Sequence, residues 1–363
     1  MYYSKHNSYR LILALLLMMA SIYANADKPD LKFRRLDTRN GLSNSQVNCI
    51  LKDSKGFVWI GTQYGLNRYD GYRFREFHSN IKDSTALLSD YVDNLFEDVD
   101  GKIWVQQELK YCVYDPKTEQ FEQNLSPWLN RAGVEGAVEK VYIDKRKNYW
   151  IKVWGGKLYY YNPSKNIKSN FVVDDAKYGP NSGLSSFDSY GKHTVMILKN
   201  GVIAALDGDK GKVVWVSNYV KQRQTADVVN NSIYIDHDRN YWVMTDGNCY
   251  VYMQKTRKWY NGVNHLLRKL GFADVPKVEM VTSAMEDRNG HMFLGTNHSG
   301  LFVLDFAKKR IYQYEKDINN ETSFSDINVV CLYLDRSGQM WIGTYMGGVN
   351  QVVFGNTYVS NLK

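Results

Sequence analysis

Cysteine and proline are scarce, with four of one and six of the other in 363 residues. The cysteines, at 49, 112, 249 and 331, are too widely spaced for a disulfide scaffold, and no Cys-x-x-Cys pair offers a zinc site. With so few prolines and no low-complexity tract, the composition is not that of a disordered chain. There is no His-x-His pair, no His-Glu-x-x-His run and no recognisable serine elbow. The histidines beyond the N-terminal region, at 78, 193, 237, 265, 291 and 298, are scattered. Long apolar runs are absent but for one, Leu11 to Ala20, and ten residues are too few to span a bilayer. Lys5 and Arg10 precede that run, and Ala24-Asn25-Ala26 follows it, so residues 1–26 are expected to be a signal peptide cut after Ala26. The alternative is an uncleaved anchor.

What is present is aromatic. Tyrosine occurs 28 times and tryptophan 9 times, which favours strands, because aromatic rings pack well on a pleated surface. The net charge is +8; two positive and no negative charges leave with residues 1–26, giving +6. Lysines and arginines are scattered, as on a solvated surface, and no nucleic-acid groove is expected.

The dominant feature is a repeat. Asp53-Ser-Lys-Gly56-Phe-Val-Trp59-Ile-Gly-Thr62 returns around Asp98/Trp104, Asp144/Trp150, Asp236/Trp242, Asp287/Phe293 and Asp335-Arg-Ser-Gly338-Gln-Met-Trp341-Ile-Gly-Thr344. The aromatic positions are separated by 45, 46, 92, 51 and 48 residues. The gap of 92 is two periods, so a degenerate copy must lie within it, and Leu198-Lys-Asn-Gly201-Val-Ile-Ala204 is the candidate. Each unit reads as an inner strand, an Asp-initiated turn, a strand carrying the aromatic, and two further strands. Four strands per unit and seven units predict an all-β, seven-bladed β-propeller of four-stranded antiparallel blades over residues 27–355. Asp53, Gly56, Trp59, Trp104, Trp150, Trp242, Phe293, Asp335, Gly338 and Trp341 are its framework residues. Phe33 to Leu36 resembles a fourth strand and is expected to close the ring against the last blade. Residues 356–363, with Tyr358-Val359, read as a tail or the start of a following domain.

The motif Asp-x-x-Gly-x-x-Trp-Ile-Gly-Thr-x-x-Gly-Leu-x-x-Tyr-Asp resembles the two-component regulator propeller repeat. Arg35 to Val47 resembles the lead-in of periplasmic sensors of hybrid two-component systems. The resemblance implies a periplasmic or secreted sensor module for oligosaccharides, with a homodimer or downstream sensor domains as partners. The kinase and DNA-binding output that the resemblance implies are not read in this chain. No cofactor is expected.

Binding residues are expected in the loops between second and third strands, where identities do not repeat: Tyr64, Gln107, Trp154, Asp246, His298 and Tyr345, with Gln63, Glu108, Asn297 and Met346 beside them. Aromatic faces with amides and a carboxylate suit a sugar, and the same residues also suit ordinary turns. A stand-alone propeller lyase or hydrolase is the competing class, and no catalytic constellation supports it. Asp98-Val-Asp100 and Asp236-His-Asp238 come nearest to a calcium site and read better as turn chemistry. Val263, Leu266, Leu267 and Leu270 are at helical spacing in an insertion and predict a short helix. Cys49 and Cys331 are expected as free, buried thiols, with a bridge between them as the alternative.

Overall fold

The structure, a computed structural model, describes residues 29–225 and 230–354. The expected signal peptide and Tyr358-Val359 lie outside the described residues. Seven four-stranded sheets form the seven blades of a β-propeller, six of them with antiparallel strands in chain order. Blade 1 comprises Val47–Lys52, Val58–Thr62, Leu66–Tyr69 and Phe74–Phe77. Blade 7 takes three strands from the C-terminal side, Val329–Leu334, Met340–Thr344 and Val349–Phe354. Its fourth strand is Leu31–Leu36, hydrogen-bonded beside Val349–Phe354, so the ring is closed as the sequence implies. Phe33 to Val352 is one compact unit. Residues before and after it make a second unit, described for 29–32 and 353–354.

The repeated residues hold this ring by specific contacts. In blade 1, Asp53 Oδ1 accepts from the backbone N–H of Lys55 at 3.0 Å and of Phe57 at 2.9 Å, which closes the turn. Its Oδ2 accepts from the indole of Trp59 at 2.7 Å. The same Asp-to-indole bond recurs at Trp104, Trp150, Trp242 and Trp341. The indoles are fully buried or nearly so and pack on the next blade: Trp59 lies 4.9 Å from Tyr114, and Trp104 lies 5.5 Å from Tyr149. The glycine of Ile-Gly-Thr makes room for the following blade. A Cβ at Gly61 would fall 2.5 Å from Val92, and one at Gly343 would fall 2.7 Å from Val47. The threonine then donates to the carbonyl at the end of its own loop, as Thr62 does to Gly65 at 2.8 Å. That loop glycine, in the left-handed region, donates onward to the next blade: Gly65 to Asp90 at 2.7 Å, and Gly348 to Ser45 at 3.0 Å.

Blade 4 corrects the expected position of the degenerate repeat. Its strands are Leu184–Tyr190, His193–Leu198, Ile203–Asp207 and Lys212–Ser217. The Gly201 turn therefore joins the second and third strands, at the opposite end from the Asp-Gly turns. A bulge pairs Leu184 with Leu198, as Val47 pairs with Thr62 in blade 1. Counting back from that bulge places Val195, not Ala204, at the position of Trp59. The spacings become 45 from Trp150 and 47 to Trp242. Aspartate and indole are both lost in this blade, where Ser189 and Val195 stand at their positions.

The insertion between blades 5 and 6 forms the helix Val263–Lys269, with Val263, Leu266 and Leu267 buried against strands of both blades. The four cysteines are free; Cys49 is buried as expected, whereas Cys331 is only partly buried, and burial pushes the Cys112 thiol up to about 12.

Candidate functional site

The loops between second and third strands gather on one face. In five blades the first loop residue is fixed by a bond from its N–H to the carbonyl just before its blade's inner strand, and in blade 2 the Glu108 N–H donates to the Asp93 carboxylate instead. Gln63 donates to Gln46 at 3.1 Å, Trp154 to Ala137 at 3.0 Å, Asn297 to Met280 at 3.0 Å and Tyr345 to Asn328 at 3.1 Å. Lys199 donates to Gly183 at 2.8 Å in the same way, so Lys199-Asn200 is the blade 4 loop that the sequence reading left unassigned. The repeat period, counted through Val195, would have found it.

On this rigid frame the side chains differ. Tyr64, Trp154 and Tyr345 are 57%, 58% and 48% exposed, which leaves ring surface available to a ligand. Tyr64 lies 5.2 Å from the His78 ring. His298 is exposed, with φ of 79°, and its N–H donates to Asn328 Oδ1 at 2.9 Å. Asn328 thus joins the His298 loop to the Tyr345 loop. Asp246 is exposed and, with Asn297, Met280, Asn231 and Ser185, lines a depression of about 440 Å³ across blades 4 to 6.

Gln107 differs from the other candidates. It is 1% exposed. Its Nε2 donates to the Ser89 carbonyl, and its Oε1 accepts from the Leu88 N–H at 3.3 Å. Asn67 and Asn350 do the same work in blades 1 and 7, accepting from Ser43 and Ser325 at 2.9 and 3.1 Å. Gln107 therefore anchors the segment leading into its blade, and Glu108 is the residue that reaches solvent there.

Charge beside these loops is mixed. Burial, with the neighbouring Glu108 carboxylate, raises the Asp93 pKa, opposed by the Glu108 N–H. Burial lowers the Lys140 pKa, and the nearby Lys199 adds to that. Lys152, almost wholly buried, is paired to Glu139 at 3.1 Å. Among the described residues there is no cluster of three or more His, Cys, Asp or Glu able to hold a metal ion. No helix of the described residues is long and apolar enough to cross a membrane.

This is a seven-bladed propeller that presents a variable loop face on a repeated scaffold. Residues 41–64 and 323–346 match the family described as two component regulator propeller. The chain carries two-component regulator propeller repeats. Over 73 residues it is 34% identical to Histidine kinase P4 of Formosa agariphila, a match covering 20% of this chain and 5% of that protein. The extracellular domain of the hybrid two component system BT3049 from B. thetaiotaomicron superposes with a TM-score of 0.67 at 18% identity, covering 88% of this chain and 41% of that one. The corresponding domain of BT4673 gives 0.64 at 20% identity, covering 88% and 39%. The fold is shared, and the chain spans about two fifths of each of those structures.

Proposed function

We propose that this chain is the sensory propeller of a hybrid two-component regulator, working in the periplasm after removal of residues 1–26. It binds an oligosaccharide without transforming it. The observation that carries this reading is the set of exposed aromatic rings on the loops of one face, Trp154 and Tyr345 at the first loop position and Tyr64 at the second. Flat apolar rings stack on sugar faces, and Asp246, His298 and Glu108 supply hydrogen-bonding groups for hydroxyls on the same face. Gln107 is not among the ligand contacts, since its amide is engaged within the fold. Signal output runs through a second copy or through downstream sensor domains, with the propeller acting as a binding module and not as an enzyme.

Calorimetric titration of the purified protein against a panel of oligosaccharides tests this. Binding with no product released is the expected result. Trp154→Ala and Tyr345→Ala should each weaken it, by roughly tenfold for a loss of about 1.4 kcal/mol. Glycan cleavage, or unchanged affinity in both variants, would overturn the proposal.

A further inference from the structure

The missing indole of blade 4 leaves a slot between blades 4 and 5, on the face opposite the loops just described. Elsewhere each blade places a tryptophan or Phe293 at this point of its second strand, buried against the neighbouring blade. Blade 4 has Val195, and the residue opposite it on the third strand is Ala205, where blade 1 has Arg68 and blade 3 has Tyr160. Two small residues therefore meet, where blades 1 and 3 set a large pair and blades 2, 5 and 6 set an aromatic ring against Val113, Val251 and Val303. The cavity that results is about 640 Å³, within the size range of small-molecule sites.

Its walls are not those of a packing defect. Trp215, Tyr241 and Tyr252 line one side, with ring centroids 5.5 to 6.0 Å apart. Lys192, Arg239 and Arg257 line the mouth, and no carboxylate is among the lining residues. No ion pair among the described residues engages these three cations. The Nδ1 of His193, also in the lining, is buried without a hydrogen-bond partner.

Arg239 adds an independent observation. It occupies the third position after the turn aspartate with φ of 66°, where four blades use Gly56, Gly101, Gly290 and Gly338 and blade 3 uses Lys147 at 65°. A side chain in that conformation is disfavoured by about 1 kcal/mol. The guanidinium sits 4.9 Å over the Tyr190 ring at the edge of the cavity.

We propose that this slot is a second binding site, for a small ring compound bearing a carboxylate. The ring enters the aromatic-walled slot, and the carboxylate meets Arg239 and its neighbours at the mouth through charge-assisted hydrogen bonds. An aromatic acid and a uronic acid share this chemistry.

The test uses 4-hydroxybenzoate and glucuronate as probes, with 4-hydroxybenzyl alcohol and glucose as their neutral counterparts, read by calorimetry and by quenching of tryptophan emission. One of the acids should bind, and which one identifies the source. Its neutral counterpart should bind at least about tenfold more weakly. Val195→Trp refills the slot and should abolish binding. Arg239→Gly should weaken binding by roughly tenfold while leaving Tm unchanged or higher, because it relieves the positive φ. That opposition of signs separates a binding loss from misfolding, and it decides the matter should Val195→Trp fail to fold. Oligosaccharide binding on the opposite face should survive Arg239→Gly, so the two proposals fail separately. Absence of binding by both acids, or wild-type binding by a folded Val195→Trp, would overturn this one.

Discussion

The carboxylate of each turn aspartate serves two partners at once. In five blades one oxygen fixes the turn and the other orients the indole six residues on. Blade 6 shows what happens when the indole is absent but the aspartate stays. Phe293 has no N–H to offer, and His291 Nδ1 faces Asp287 Oδ2 instead, at 3.0 Å. At the same scale, the glycine of Ile-Gly-Thr is there because of what approaches it. Gly61→Ala should destabilise the protein by about 1–3 kcal/mol, since its Cβ would overlap the buried Val92 and Cys49 side chains. Denaturant unfolding measures this. Val92→Ala in the same chain should recover part of the loss, and a double-mutant cycle showing simple additivity would reject the explanation.

At the scale of elements, periodic features were legible and singular ones were not. The helix Val263–Lys269 follows from its apolar spacing, and Leu267 is fully buried. Leu267→Ala should cost about 2–5 kcal/mol, lowering the denaturation midpoint without changing the slope. A loss under about 0.5 kcal/mol would mean that the helix is peripheral to the fold. Blade 4 was misplaced because Lys199-Asn200-Gly201 has real turn chemistry, and composition cannot say at which end of a blade a turn lies. The burial of Gln107 was equally hidden. Position in the repeat puts it at the loop, but only tertiary contact with Leu88 and Ser89 reveals that its amide faces inward. Tyr64, Trp154 and Tyr345 could be placed because the loops are equivalent by position and the scaffold around them repeats.

For the molecule as a whole, stability depends on the joint where blade 7 meets blade 1. Lys52 of blade 1 donates to Asp335 of blade 7 at 2.7 Å, and Tyr333 donates to the Lys52 carbonyl at 3.2 Å. Burial works against ionisation of Asp335. The Lys52 ammonium, with Ser337, Gln339 and Trp341 as further donors, outweighs it and holds the carboxyl down to about 2. A carboxylate whose pKa is depressed in the folded state stabilises the fold at pH values above its unfolded pKa, near 3.8. That contribution disappears as pH falls from about 4 to about 2, and it is on the order of 2 kcal/mol. Acid should therefore open the ring at this joint. Lys52→Met removes the largest opposing charge and should lower stability at neutral pH by about 2 kcal/mol, because Asp335 is left buried without its cation. The same variant should also lose less stability between about pH 4 and pH 2 than the wild type. Parallel acid-denaturation curves for the two proteins would show that Asp335 does not govern closure. Convergence of the curves at low pH would place the acid-sensitive step at the blade 7 to blade 1 joint.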